Sequence, residues 1–294
     1  MDAYFTGTVV PASSRTSITS LRIQPMDRHD FIITSAVGTA GAFATKMNRD
    51  SNSPSNSGAA SDPPRATRKI LIAGGNYNTA FIRYMAQLTG KARPRICYLP
   101  TAAADNSDSS LGFFRNCAPL NVEPFVQPTF IESLTQKLGW DEVLLSMDGI
   151  VCSGGNTLNQ QAIWKAQGID LVLKSAWDRG IVLGGASAGS LCWFEEGTTD
   201  SRPKALSIVK CLGFLKGSHS PHYDAEAGRR PLYHELIRTG AMKPGYACDN
   251  DAGIYFEDNE VKRVVSARDG AKVYYVSVSG GTVAERVLTP EPIA

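Results

Sequence analysis

What the chain lacks narrows its chemistry before any motif is considered. Its 294 residues hold only four histidines, no H-E-x-x-H segment, and no C-x-x-C pair among six scattered cysteines. Zinc and dithiol sites draw on closely spaced ligands, so no dedicated metal site is expected, and Cys97, Cys117, Cys152, Cys192, Cys211 and Cys248 read as small apolar side chains. Charge of one sign is also missing: 30 basic residues face 28 acidic ones, a net charge of +2. Without a global field the chain does not read as a binder of nucleic acid or of a membrane surface, and a small, roughly neutral partner fits better. No apolar run reaches the length of a comfortable bilayer span; the run from Phe31 to Ala44 is too short.

What is present divides at about residue 67. The first part is rich in Ser, Thr, Asn, Ala and Pro, and "NRDSNSPSNSGAASDPP" (48–64) has no apolar periodicity. A short charged stretch, Asp27 to Asp30, precedes the apolar run, which ends in Ala42-Phe43-Ala44, a small-x-small cleavage pattern. Residues 26–44 thus resemble a twin-arginine export signal with Arg28-His29 in place of the arginine pair; the alternative is a flexible apolar tail. On that reading 1–25 is an overextended start or disordered, 45–66 a linker and 67–290 the catalytic domain. The mature protein would be exported or periplasmic without a membrane span, or cytoplasmic if the segment is no signal.

From Arg68 onward β-branched apolar runs alternate with helical patterns, the signature of βα units around a mostly parallel sheet. "KILIAGG" (69–75) predicts a strand ending in a glycine turn, and "YNTAFIRYMAQLTG" (77–90) a helix closed by Gly90. "RICYLPTA" (95–102) predicts a strand that Pro100 ends, "NVEPFVQ" (121–127) a third, and "GIVCSGGNT" (149–157) a buried strand running into two glycines. Helices are expected near 132–146, over "LNQQAIWKAQG", over 168–180 and over "RRPLYHELIRTG", with "IVLGG" a strand after the third of these. "AGIYFE", "VKRVVSA" and "AKVYYVSVSGG" read as antiparallel strands closing the sheet. The expected fold is α/β and three-layered: a mostly parallel central sheet with helices on both faces and antiparallel strands near the C-terminus.

Gly185-Ala186-Ser187-Ala188-Gly189 matches G-x-S-x-G and sits after an apolar strand and before a helix. At a sharp strand-to-helix turn the serine backbone is strained, so small neighbours are needed, and the amide of Ala188 is placed to meet an oxyanion. The alternative is a tight structural turn. A serine nucleophile needs a base. His29 falls in the export segment and His234 in a helical pattern, which leaves His219 and His222 in "GSHSPHYDAEAGRR"; context favours His222. Asp200, Asp224, Glu226, Asp249 and Asp251 all remain open as the group that orients it. In "SGGNTLNQ" (153–160), Gly155 is the best second oxyanion donor and Asn156 a candidate substrate contact. That segment lacks a P-loop lysine and dinucleotide spacing, so phosphate binding ranks low.

In order, "SGGNT", "GGASAGSLCWFEEGTTDS", "LGFLKG", "SPHYDAEAGRR" and "DNDAGIYFED" resemble the dipeptidase E (aspartyl dipeptidase) family of serine peptidases, relatives of cyanophycinase with a class I glutamine amidotransferase-like fold. The resemblance covers roughly 68–285. It implies Ser187 as nucleophile, His222 as base, Gly155 and Ala188 as oxyanion donors, and Asp200 in Thr-Thr-Asp as the acid. A glutamate that serves some relatives falls at Asn250, flanked by Asp249 and Asp251. The family's best-known activity, removal of an N-terminal aspartate from dipeptides, calls for a cation, for which Arg229 or Arg230 is the candidate; the alternative is a solvated helix start.

The function expected from these residues is hydrolysis of small peptides through Ser187 and His222, with no metal or organic cofactor. An α/β-hydrolase-type esterase is disfavoured, because its usual order puts the acid before a histidine near the chain end, and the last histidine here is His234. A catalytically silent binding protein of the same fold is the third reading.

Overall fold

The structure, a computed structural model, describes residues 65–130 and 136–294. The segments read as start, export signal and most of the linker lie outside them.

Strands β1 (Lys69–Ala73), β2 (Arg95–Leu99), β3 (Glu123–Val126), β4 (Gly149–Cys152) and β5 (Val182–Ala186) run parallel in the order β1-β5-β4-β2-β3. β4 and β5 are buried along their whole length, as continuous apolar strands covered on both faces should be. Alternate residues of β1 feed different cores. Ile70 and Ile72 pack with Trp164 of α4 (Thr157–Gln167) and Leu173 and Trp177 of α5 (Ile169–Asp178). Leu71 and Ala73 pack with Phe81 and Met85 of α1 (Thr79–Thr89) and Phe113 of α2 (Ser107–Cys117). Helices therefore cover both faces of a mostly parallel sheet. α1 is opened by the Asn78 side chain and closed by Gly90 in the left-handed region.

Beyond β1 the same sheet continues antiparallel through β10 (Ala252–Glu257) and β11 (Glu260–Ser266), with β14 (Glu291–Pro292) at its edge. "AKVYYVSVSGG" does not join it. As β12 (Val273–Ser279) it pairs with β9 (Gly245–Cys248) and β13 (Thr282–Leu288) in a second sheet completed by β8 (Ser218–Ser220), β6 (Glu196–Thr199) and β7 (Ser207–Lys210). Alternation marks a strand but does not choose its partner; here β12 buries Tyr274 and Val276 against Tyr233 and Ile237 of α7 (Arg229–Arg238), in a core separate from the main sheet. Two further departures concern helices. The stretch expected near 132–146 yields, within the described residues, only the short α3 (Trp140–Leu144). The unexpected α2 is capped by Asn106, whose side chain accepts from the amides of Asp108 and Ser109.

Candidate active site

The carboxyl ends of the central parallel strands meet at Ser187, which joins β5 to the one-turn helix α6 (Ala188–Leu191). Its backbone has φ 57° and ψ −118°, a strained setting for a residue with a Cβ. The turn is tight because it grazes β4: a Cβ at Gly189 would lie 2.0 Å from the Cys152 carbonyl, and one at Gly185 2.3 Å from it. Only glycine allows this approach. The Ala188 amide, first of its helix, has no intrahelical acceptor.

His222 arrives from the second sheet, just beyond β8, and also has a positive φ, 52°. It is tied to the same strand exit as the serine: the Ser187 amide donates to the Ala73 carbonyl (3.4 Å) and the His222 amide to the next one, of Gly74 (3.3 Å). The imidazole packs so closely on Gly75 that a Cβ there would lie 2.8 Å from its Cε1. Nδ1–H donates to Oδ1 of Asn250 at 2.7 Å, which assigns the tautomer and leaves the Nε2 lone pair available. Among the described residues no hydrogen bond joins Ser187 Oγ to His222.

The partner of His222 is thus an amide. The backbone of Asn250 is held in turn: its N–H donates to Asp224 (2.8 Å), and its main-chain carbonyl accepts from Arg268 (2.9 Å), which is ion-paired with Asp224. Among the described residues none of the expected acids hydrogen-bonds the His222 ring. Asp200, 65% exposed, faces Arg229 at 3.7 Å. Asp251 accepts from Asn76 and Asn78 and pairs with Arg268. Asp249 accepts from the Lys272 amide, and burial holds its carboxyl above the usual range. Glu226 accepts from Arg229.

Arg229 is not a solvated helix start. It is 2% exposed and bound to Glu226, the Thr198 carbonyl and Asp200. Arg230 pairs with Glu285 and lies over the rings of Tyr223 and Tyr274. Both guanidinium groups are engaged by carboxylates of the chain itself. Asn156 is occupied as well, its Oδ1 capping α4 and its Nδ2 donating to the Ser201 carbonyl. Of the glycine pair, Gly154 stands against the serine: a Cβ there would be 3.3 Å from Ser187 Cβ, whereas Gly155, at φ 127°, abuts the Ala102 carbonyl.

The other histidines have different partners. His234 bonds to Glu285, and His219 is fully buried between Ser190 Oγ and the Tyr246 carbonyl, both at 3.0 Å. Burial lowers the His219 pKa to about 3, so it is neutral.

A cavity of about 230 Å³ opens beside Ser187. Its far wall is α2, through Ser109, Gly112, Phe113 and Asn116. The sequence reading missed this wall altogether; the signal that marks it is Asn106 with Asp108 two residues on, a helix start ahead of the apolar Leu111 and Phe113. Among the described residues no cluster of three or more His, Cys, Asp or Glu side chains could hold a metal ion.

The chain is similar to known proteins in both sequence and fold. The sequence model of Peptidase family S51 matches residues 70–264. The "Uncharacterized peptidase YgaJ" of Bacillus subtilis (strain 168) is 38% identical over 226 residues, covering 74% of this chain and 94% of that protein. In solved structures the fold is shared with a peptidase from an acI-B1 Actinobacterium, at a TM-score of 0.59 and 14% identity over 78% of this chain and 97% of that one. It is shared too with a Listeria monocytogenes EGD-e protein named provisionally as a peptidase E, at 0.52 and 16% over 67% and 97%.

Proposed function

The chain belongs to peptidase family S51, and from that premise we propose that this serine-type peptidase hydrolyses small peptides with Ser187 as nucleophile, His222 as base and Asn250 as the group that orients the base. The observation that carries the reading is the seating of Ser187 and His222 on consecutive carbonyls of one strand exit, with the imidazole held at Nδ1 alone.

In the proposed reaction Nε2 of His222 takes the Ser187 hydroxyl proton as Oγ attacks the scissile carbonyl carbon. The Oγ–Nε2 contact closes as substrate enters, as catalytic hydrogen bonds commonly do. Backbone amides at Ala188 and in the Gly154-Gly155 turn receive the developing oxyanion. The tetrahedral species collapses by breaking the C–N bond, and the leaving amine collects the proton from His222. Water, deprotonated at the same nitrogen, then releases the acyl group and restores Ser187. Asn250 keeps Nδ1 protonated and the ring in place, but an amide leaves the imidazolium without a facing negative charge. Preference for an N-terminal aspartate would require a cation, and Arg229 and Arg230 are committed elsewhere.

A fluorophosphonate probe and a dipeptide panel test the assignment. Wild type labels and hydrolyses; Ser187→Ala loses labelling and at least about 10³-fold in rate. Labelling or hydrolysis that persists unchanged in Ser187→Ala sinks the nucleophile.

A further inference from the structure

The geometry points to a pocket for an uncharged side chain: the cavity beside Ser187 receives an apolar, aromatic or amide side chain flanking the scissile bond and excludes aspartate and glutamate. This rests on the reading of Ser187 as the peptidase nucleophile.

The first support is the lining. Tyr98 and Phe113 stack at 5.0 Å to form an aromatic wall, and the polar groups beside them include the amides of Asn76 and Asn116 and the hydroxyls of Ser109, Ser153 and Tyr77. No lysine, arginine, histidine, aspartate or glutamate is among the described residues that line the cavity. Burial pushes the phenols of Tyr77 and Tyr98 up, so they stay neutral as well. α2 presents Ser109, Gly112, Phe113 and Asn116 at the i, i+3, i+4, i+7 spacing of one helix face. Its two charged residues, Asp108 and Arg115, are exposed and off that stripe.

The second support is what lies behind the lining. Asn76 donates to the carboxylate of Asp251 (3.3 Å), which is itself paired with Arg268 (3.4 Å), so this wall offers a substrate carboxylate no free cation. A substrate carboxylate placed here would lose its water and gain no cation, whereas an amide or apolar group loses little. The volume agrees with one side chain: about 230 Å³ is below the roughly 300–1,000 Å³ of sites that enclose drug-sized ligands.

Gly112 supplies the handle. A Cβ built there meets nothing within 4 Å, so this position of the cavity wall has room for a side chain, and both Leu and Arg favour the helix over glycine. The experiment measures kcat/KM on X-Ala and Ala-X dipeptides, with X = Ala, Leu, Phe, Asn or Asp, for wild type, Gly112→Leu, Gly112→Arg and Ser187→Ala. In the position that occupies the cavity, Leu, Phe and Asn exceed Asp at least tenfold; the near-isosteric Asn and Asp isolate charge. Gly112→Leu lowers Phe at least tenfold while Ala changes less than threefold. Gly112→Arg raises Asp relative to Asn at least tenfold. Ser187-dependent hydrolysis that prefers Asp to Asn, or that Gly112→Leu and Gly112→Arg leave unaltered in a folded protein, overturns the pocket and spares the nucleophile. Hydrolysis that survives Ser187→Ala overturns the nucleophile and the pocket with it.

Discussion

Two serine–histidine pairs lie three residues apart in this chain, Ser187 with His222 and Ser190 with His219. Judged by contact alone the second is the better dyad, since Ser190 Oγ lies 3.0 Å from His219 Nε2. Its surroundings disqualify it. His219 is sealed from solvent, both ring nitrogens are engaged, and burial holds it neutral. Ser190 lies inside α6 and also bonds to the Ser187 carbonyl at 2.8 Å. His222 is part-exposed, engaged at one nitrogen only, and paired with a serine that opens onto a cavity. A working base needs a vacant nitrogen and a path for the proton; a pair tied at both ends holds structure.

The largest test of this contrast exchanges the two imidazoles for amides. His222→Gln is expected to lower kcat by about 10³–10⁶-fold with little change in the unfolding midpoint. His219→Gln should leave kcat/KM within about tenfold and instead lower stability by about 1–3 kcal/mol, because a buried bond to Ser190 or Tyr246 is lost. Loss of turnover in a folded His219→Gln protein would place the buried pair in the chemistry.

A smaller effect separates orientation from charge. Asn250→Ala should cost about 10–10²-fold, less than His222→Gln, because the base remains and only its orientation is lost. Asn250→Asp places a carboxylate at Nδ1–H; this stabilises the imidazolium and moves the acidic limb of kcat/KM to higher pH, by about one unit or more. The neighbouring Asp224 and Arg268 already offset each other. A limb that stays in place removes Asn250 from the site.

How much of this was legible in the sequence follows from how local each feature is. The Ser187 turn was legible because strand, glycines and helix are consecutive, and the sheet because β1, β4 and β5 are short apolar runs bounded by glycine. The partner of His222 was not: Asp249, Asn250 and Asp251 are neighbours in sequence, and only the pairing of Gly75 with Asn250 decides which one faces the ring. The ion pairs of the two arginines were not legible for the same reason, since the carboxylates that engage them come from residues as distant as Asp200 and Glu285. The second sheet was missed because β6 and β8, at four and three residues, carry little alternation of their own.

The subtlest test leaves activity aside and asks what keeps the buried pair apart from the chemistry. Facing a carbonyl, His219 keeps its proton on Nδ1, so Nε2 must accept from Ser190; the single Ser190 hydroxyl proton is then contested by Nε2 and the Ser187 carbonyl. Protonating His219 would satisfy all three bonds, but burial opposes it. The folded pKa of about 3 lies below the unfolded value of about 6.5. The unfolded chain therefore binds the extra proton between these values, and stability is full above pH 6.5 and falls as the pH drops, by up to about 1.4 kcal/mol per unit. Denaturant midpoints of wild type and His219→Gln between pH 7.5 and 5 isolate that component, since carboxylates titrate alike in both. The wild type should fall more steeply; parallel curves would mean that burial does not hold this imidazole neutral, and the distinction between the two pairs would then rest on the occupied nitrogens alone.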